Sequence, residues 1–174
     1  MANNPDIQQK LHEHLSDFDE KNKNMTLEQL NELTFLDQCI KENLRISPPV
    51  ANIVRIVGQD TLLDGHLVPK NLLSLTFVHA IHHDEEIYPD PEVFDPSRFE
   101  PENFAKIPPG AFIAFGDGPR HCIGDRLAIL ESKIIFSNII KKFRVELVDE
   151  QELRLKIDLL TKPEIPLKFR IIPR

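Results

Sequence analysis

Apolar residues in the first part of the chain recur every three or four positions, which is the spacing of an amphipathic α-helix. Three such segments precede the two prolines at residues 48–49. The first begins at Asn4, which is followed by proline and aspartate, and the second begins at Thr26, where Gln29 completes a capping box. The third helix is predicted over residues 34–46, and the prolines end it because proline lacks a backbone N–H.

The apolar pattern shortens after residue 50. Residues 53–57 and 72–77 are rich in β-branched and apolar side chains, which is typical of strands. Asp64 and Gly65 between them are a strong turn signal. The sequence therefore predicts a small antiparallel sheet in this part of the chain.

Helical spacing returns in the last third of the chain. From Ile123 onward, apolar residues follow one another at spacings of four, three and four, so a long helix is predicted. After it, residues 144–148 and 168–172 alternate between apolar and polar and predict a hairpin. The predicted fold class is mainly α with small antiparallel β-sheets, an α+β arrangement.

Composition limits the functional classes. The chain has 174 residues, 41% of them hydrophobic, which is enough for one globular domain with a core. The formal net charge is −7, so we expect no nucleic-acid partner. Because no run of 18 apolar residues occurs, we expect no membrane anchor in this chain. Of the two cysteines, Cys39 lies among apolar residues at helical spacing and is expected in the core.

The other cysteine, Cys122, lies where a glycine-rich loop becomes the long helix. The free N–H groups and the dipole at a helix start favour the thiolate, which is the form that binds metals. Gly118 and Gly124 let the backbone approach a flat partner, Arg120 can bind a carboxylate, and Phe115 offers an aromatic face. These groups together suit haem. The alternative is a free cysteine in a surface loop.

The order F-x-x-G-x-R-x-C-x-G resembles the haem-ligand signature of the cytochrome P-450 family, and all five fixed positions match. The resemblance implies that Cys122 is the axial ligand of the iron in haem b. It implies that Phe115, Gly118, Arg120 and Gly124 contact the haem. It also implies the C-terminal portion of the cytochrome P-450 fold, without the distal helix that activates oxygen.

A second resemblance to the same family lies upstream. Glu42 and Arg45 form an E-x-x-R motif, and Arg98 belongs to a P-x-R-F stretch over residues 96–99. By themselves, Glu42 and Arg45 are neighbours on one helix face and fit a surface ion pair. The resemblance instead implies a buried structural triad of Glu42, Arg45 and Arg98 that holds the loop beneath the haem.

The family also implies roles for residues of the small sheet. Arg55 follows Arg45 by ten residues and corresponds to an arginine that contacts a haem propionate. The alternative is an edge-strand arginine that points to water. Four apolar residues correspond to positions that line the substrate pocket in this family, although core packing explains their apolar character equally well. These four are Val50, Ile53, Val54 and Leu160.

Three histidines within five residues, His79, His82 and His83, raise the alternative of a zinc site. The family pattern A-x-H-R-D-P accounts for the segment more economically. The chain departs from that pattern at two positions, with His83 for arginine and Glu85 for proline. The departure puts in doubt the ion pair that this arginine normally makes.

The resemblance implies one partial domain over residues 1–174. Its parts are helices to residue 49, the small sheet and the P-x-R-F stretch to 99, the haem-ligand loop with its preceding meander to 124, and the long helix with the C-terminal hairpin. No residue of this chain other than the haem ligand is expected to be catalytic.

The implied activity is a haem-thiolate monooxygenase. It inserts one oxygen atom from O2 into a lipophilic substrate, with electrons from cytochrome P-450 reductase that originate in NADPH. The full-length parent is expected at the cytosolic face of the endoplasmic reticulum membrane. Two alternatives stay open: a truncated, non-catalytic remnant or regulator, and a haem-thiolate isomerase or dehydratase.

Overall fold

The computed structural model describes residues 2–16, 25–148, 154–158 and 160–174. These residues contain six α-helices and eight β-strands. The helices are α1 (Pro5–Ser16), α2 (Leu27–Glu32), α3 (Thr34–Ile46), α4 (Val78–His82), α5 (Pro101–Phe104) and α6 (Asp125–Lys142). The strands are β1 (Asn52–Ile56), β2 (Thr61–Leu63), β3 (His66–Val68), β4 (Leu73–Phe77), β5 (Phe143–Leu147), β6 (Leu155–Ile157), β7 (Thr161–Pro163) and β8 (Phe169–Pro173).

The strands form antiparallel pairs, and each pair is a separate two-stranded sheet. β1 pairs with β4, β2 with β3, β5 with β8, and β6 with β7. The fold class predicted from the sequence, helices with small antiparallel sheets, is confirmed. Among the described helices, none combines the length and the apolar character needed to cross a membrane.

The three predicted N-terminal helices begin and end where their local signals lie. The N–H of Gln8 donates to the carbonyl of Asn4 at 3.0 Å and closes the first turn of α1. Thr26 caps α2, and both bonds of the capping box with Gln29 are present. Helix α3 spans Thr34–Ile46, the predicted range.

The first sheet differs from the prediction. Asp64 and Gly65 do not simply join one pair of strands, because they turn a second hairpin, β2–β3, that lies between β1 and β4 along the chain. Both residues have positive φ, 47° and 77°. This conformation gives a two-residue turn the right-handed twist of its flanking strands. The sequence signal located the turn but not the separate sheet.

The hydrophobic core lies between α1, α3 and α6, with contributions from α2 and the residues beside it. Its buried members come from all four helices: Leu11, Leu15, Leu30, Leu33, Phe35, Leu36, Cys39, Ile40 and Ile140. Cys39 is 2% exposed, which confirms its prediction as a small core residue. The core therefore fixes α6, whose first residue follows the cysteine loop.

A buried glutamine ties α1 to the C-terminal sheet. The side-chain amide of Gln8 donates to the carbonyl of Val145 at 2.9 Å, and its oxygen accepts from the N–H of Val145 at 2.8 Å. Gln8 is buried, so these bonds satisfy polar groups that water does not reach. They hold β5, and with it the end of α6, against α1.

Candidate functional site

The cysteine loop closes on itself through backbone hydrogen bonds. The N–H of Cys122 donates to the carbonyl of Phe115 at 2.9 Å. Within the loop, Gly116 and Gly118 have φ of 79° and 70°, which is a conformation that side chains other than glycine rarely adopt. The carboxylate of Asp117 accepts from the N–H of Gly118 at 2.7 Å and begins a 3-10 turn over Gly118–Arg120.

The sulfur of Cys122 lies on the surface of the loop. A Cβ at Gly124 would lie 3.9 Å from this sulfur, which is ordinary contact, and one at Gly118 would meet no atom within 4 Å. Open space therefore borders the loop. Beside it, the side chains of Ile123 and Leu127 are exposed, at 103% and 67%. A thiol next to an uncovered apolar surface fits a large flat ligand.

The structure brings the predicted triad together and buries its Glu42–Arg45 pair. Glu42 and Arg45 are each 0% exposed, and two Arg45 nitrogens donate to the Glu42 carboxylate at 2.7 and 2.9 Å. The Nε of Arg98 lies 3.5 Å from Glu42 Oε1, an ion-pair distance, but it makes no hydrogen bond among the described residues. The complete burial of Glu42 and Arg45 contradicts the alternative of a surface ion pair.

Arg45 connects α3 to the segment that follows the first sheet. Its guanidinium donates to the carbonyls of His82 at 2.8 Å and Pro91 at 2.6 Å. Glu42 accepts from the N–H of Asp95 at 2.8 Å. Because the charges are buried, every one of these bonds offsets a desolvation cost. The pair therefore fixes a long stretch of irregular backbone.

His82 is a site residue for which the sequence analysis gave a zinc alternative and a place in the pattern A-x-H-R-D-P, but no role. It is 0% exposed, its Nε2 lies 3.0 Å from the N–H of Ile113, and its Nδ1 lies 3.2 Å from the carbonyl of Arg45. Only the neutral tautomer with its proton on Nδ1 satisfies both partners. The available sequence signal was that His82 follows apolar Val78 and Ile81 at helical spacing, four and one residues before it.

The zinc alternative loses its central ligand, because both His82 nitrogens already have partners. His79 and His83 lie side by side, with ring centroids 4.0 Å apart. Nowhere in the described ranges do three or more histidine, cysteine or carboxylate side chains converge as a metal site would require.

The residues predicted beside the haem and the substrate are only partly brought together. Ile53 lies next to the loop, since its Cδ1 would be 3.8 Å from a Cβ at Gly116. Arg55 shares that face of β1, because alternate strand residues point the same way, but its guanidinium donates to the Val54 carbonyl and does not contact the loop. Val54 lies on the opposite face.

The turn between β6 and β7 lies against the segment that begins β1. The N–H of Thr161 donates to the carbonyl of Pro49 at 2.8 Å. This bond brings exposed Leu160 near Val50, which is also exposed. Core packing does not explain these two side chains, since both face solvent.

The two thiols are expected to differ in reactivity. Burial raises the pKa of Cys39 to about 12, and its side chain is covered, whereas Cys122 is exposed. Iodoacetamide at neutral pH should therefore label Cys122 in the folded chain and Cys39 only in denaturant. Peptide mass spectrometry checks this. Equal labelling of both thiols without denaturant would contradict the packing described here.

Acid is expected to destabilise the fold through His82. Burial lowers the pKa of this imidazole to about 4, from 6.5. Between these values the unfolded chain binds a proton that the folded chain does not, so the free energy of unfolding falls as pH drops. The loss attributable to His82 reaches about 3 kcal/mol near pH 4.

Urea titrations of the chain and of His82→Gln at pH 7 and pH 4.5 measure this contribution. Any other group whose charge changes over this interval affects both proteins, and subtraction of the variant removes its effect. The wild-type chain should lose more stability than the variant over the interval. An equal loss in both would mean that His82 is not held neutral.

Comparison with known proteins is consistent with this geometry. A sequence model of the Cytochrome P450 family matches residues 1–171. Cytochrome P450 4F2 of Homo sapiens is 40% identical over 176 residues, covering 99% of this chain and 34% of that protein. Cytochrome P450 4c3 of Drosophila melanogaster is 37% identical over 173 residues, covering 98% and 32%. Leukotriene-B4 omega-hydroxylase 3 of Mus musculus is 38% identical over 176 residues, covering 99% and 33%.

These matches extend over nearly the whole chain, although the chain spans only about a third of the length of the relatives. The described residues contain the helices and small antiparallel sheets of a partial fold of that kind. The chain therefore belongs to the cytochrome P450 family.

Proposed function

We propose that this chain supplies the haem-ligand part of a haem-thiolate monooxygenase, with Cys122 as the axial ligand. One observation carries the proposal: an exposed cysteine sulfur lies on a glycine loop at the start of α6, beside uncovered apolar side chains. The loop leads directly into α6, whose first turn has free N–H groups.

The residues around the loop fit haem b. Phe115 and Ile123 offer apolar contact, and the open space beside Gly118 and Gly124 accepts a planar ring. Arg120 and Arg55 are exposed cations without a carboxylate partner in the described part of the chain, so each is available to a haem propionate. When bound, a thiolate-ligated haem supplies the chemistry that reduces and cleaves O2.

The remaining roles concern positioning. Glu42, Arg45 and Arg98 hold the backbone that supports the loop, and they take no part in the chemistry. The substrate is proposed to contact Val50, Ile53, Val54 and Leu160. Ile53 has stronger support because it lies beside the cysteine loop. Leu160 also has stronger support, because the next residue, Thr161, is bonded to the segment before β1. This chain would hold and orient the cofactor, and the haem would supply the oxidation chemistry.

The substrate is proposed to be lipophilic, and the reaction to be insertion of one oxygen atom from O2. One relative is named as an omega-hydroxylase of leukotriene B4. The electrons are proposed to come from cytochrome P-450 reductase and NADPH. The parent protein is proposed to act at the cytosolic face of the endoplasmic reticulum membrane.

The test is reconstitution of the chain with haem, followed by reduction and binding of carbon monoxide. A thiolate ligand should shift the Soret band strongly to the red compared with haem bound through nitrogen. Cys39→Ser should behave as the wild-type chain, because that thiol is buried in the core. An unshifted band in both proteins would contradict the proposal.

A second candidate is a non-catalytic chain that binds haem weakly. The exposure of Ile123 and Leu127 favours it, because one side of the proposed haem site is not covered by any described residue. Two results together would support this candidate. The haem dissociation constant would be much larger than that of a full monooxygenase, and the Soret band would still be shifted to the red at saturating haem.

A further inference from the structure

We propose that His82 is a positioning residue: it connects the buried Glu42–Arg45 pair to the Cys122 loop and so holds the backbone of the loop in place. The inference rests on the proposed function, because it concerns the same loop. His82 lies outside both the E-x-x-R motif and the cysteine-loop motif, and the pattern A-x-H-R-D-P that contains it assigned it no role. Its side chain is fully buried. Three observations carry the inference: a reciprocal contact with Arg45, a bond to the segment before the loop, and a backbone path from there to Cys122.

The contact with Arg45 holds His82 at two points. Arg45 Nη1 donates to the carbonyl of His82 at 2.8 Å, and His82 Nδ1 donates to the carbonyl of Arg45 at 3.2 Å. Both residues are 0% exposed, so neither bond competes with water. The position of the imidazole is therefore set by the same residue that pairs with Glu42.

The other ring nitrogen reaches the approach to the loop. His82 Nε2 accepts from the N–H of Ile113 at 3.0 Å. From Ile113 the path continues through backbone bonds, since its carbonyl accepts from the N–H of Gly116 at 2.9 Å. The Phe115 carbonyl then accepts from the N–H of Cys122 at 2.9 Å. Hydrogen bonds thus join α3 to the proposed ligand.

Aromatic packing keeps the ring in this orientation. The imidazole stacks on Phe112 with centroids 5.4 Å apart and an interplanar angle of 18°, and Tyr88 packs edge-on at 6.4 Å. The hydroxyl of Tyr88 donates to the carbonyl of Ala111 at 3.1 Å. Because the hydroxyl of Tyr88 bonds to Ala111 in the same segment, and the Ile113 N–H bonds to His82, loss of this hydroxyl provides a control for general loss of packing.

Histidine is suited to this position because it carries a donor and an acceptor on opposite edges of one rigid ring. Asparagine and glutamine each reproduce one edge. The amide of asparagine can reach the Nδ1 position and donate to the Arg45 carbonyl. The longer side chain of glutamine can reach the Nε2 position and accept from Ile113. The two variants therefore remove opposite halves of the connection.

Hydrogen exchange of the haem-free chain tests the inference. In His82→Asn, the amides of Ile113 and Cys122 should exchange about tenfold faster or more, because the acceptor is lost. In His82→Gln, both should stay close to wild type. Tyr88→Phe, which removes one hydroxyl from the same segment, should leave the Cys122 amide unchanged. Equal effects of the two histidine variants, or an equal effect of Tyr88→Phe, would overturn the inference.

The haem-loaded chain separates this inference from the proposed function. We expect the carbon monoxide complex of His82→Asn to lose much of the red-shifted Soret band, and that of His82→Gln to retain it. If the wild-type chain gives no shifted band but the exchange difference is present, the proposed function fails and the positioning role stands. If the wild-type band is shifted but the two variants exchange alike, the positioning role fails.

A measurement on the wild-type chain covers the case in which both variants fail to fold. Nitrogen chemical shifts of the His82 ring identify the tautomer directly. The inference requires a protonated Nδ1 and an unprotonated Nε2. A proton on Nε2 would leave the Ile113 amide without its acceptor and would overturn the inference.

Discussion

Arg45→Met is expected to lower the free energy of unfolding by about 3–5 kcal/mol, because it removes the closer cation and leaves a buried carboxylate with only Arg98, at 3.5 Å and without a hydrogen bond from its Nε. The carboxylate of Glu42 would lose two charge-assisted bonds while 0% exposed. The carbonyls of His82 and Pro91 would lose their donor as well. The methionine side chain fills similar volume, so a cavity is not the cause of the loss.

Lys41→Met is the matched control for this prediction. Lys41 lies on the same helix and pairs with Asp37 at 2.7 Å, but it is 34% exposed. Its loss should cost less than about 1 kcal/mol. Urea titration of both variants measures the two losses. The comparison requires that the free energy of unfolding falls with urea concentration at the same slope in both. If Arg45→Met is no more destabilised than Lys41→Met, the buried network does not support the fold.

Cys122→His is expected to abolish the red-shifted Soret band completely while haem still binds. Imidazole is also a good iron ligand, so the substitution removes the thiolate without removing the axial bond. The residue lies on the surface of the loop, and its backbone bonds do not depend on its side chain: its N–H donates to the Phe115 carbonyl, and its carbonyl lies 3.1 Å from the His121 Nδ1. The change should therefore leave the fold intact.

Absorption spectra of the reduced carbon monoxide complexes measure this effect. Cys39→Ser serves as the control, since it removes the other cysteine and should keep the shifted band. Circular dichroism before haem addition checks that Cys122→His is folded. Retention of the shifted band in Cys122→His would show that another sulfur binds iron.

Local signals in the sequence predicted the elements well. The proline after Asn4, the capping box of Thr26 and the prolines at residues 48–49 are short-range features, and they give the observed helix ends because capping and proline sterics act within a few residues. The place of Cys122 in a loop that leads into a long helix followed in the same way from the glycines and from the helical spacing after it.

Contacts between distant residues could not be read from periodicity. Gln8 and Val145 are 137 positions apart, and His82 and Ile113 are 31 apart. A polar residue in an apolar stretch indicates that a partner is needed, but not which one. The E-x-x-R motif placed Glu42 beside Arg45 because they are three apart on a helix. Their burial came from the family resemblance, since spacing alone fits a surface pair equally well.

The small sheet shows a further limit. Residues 53–57 carry a strand signal, but alternation cannot tell which face a partner covers. In the structure, Ile53 and Arg55 share one face and Val54 the other, so the apolar side chains of this strand do not form one surface. The β2–β3 hairpin was missed because three-residue strands are too short for a periodic pattern.

The central claim, that Cys122 holds haem iron through its sulfur, is tested most directly by resonance Raman spectroscopy of the ferric chain. Cysteine labelled with heavy sulfur should shift the iron–sulfur stretching band in the wild-type chain and in Cys39→Ser. The band should be absent from Cys122→His. A haem-loaded wild-type chain with no isotope-sensitive band, or a band that persists in Cys122→His, would contradict the account.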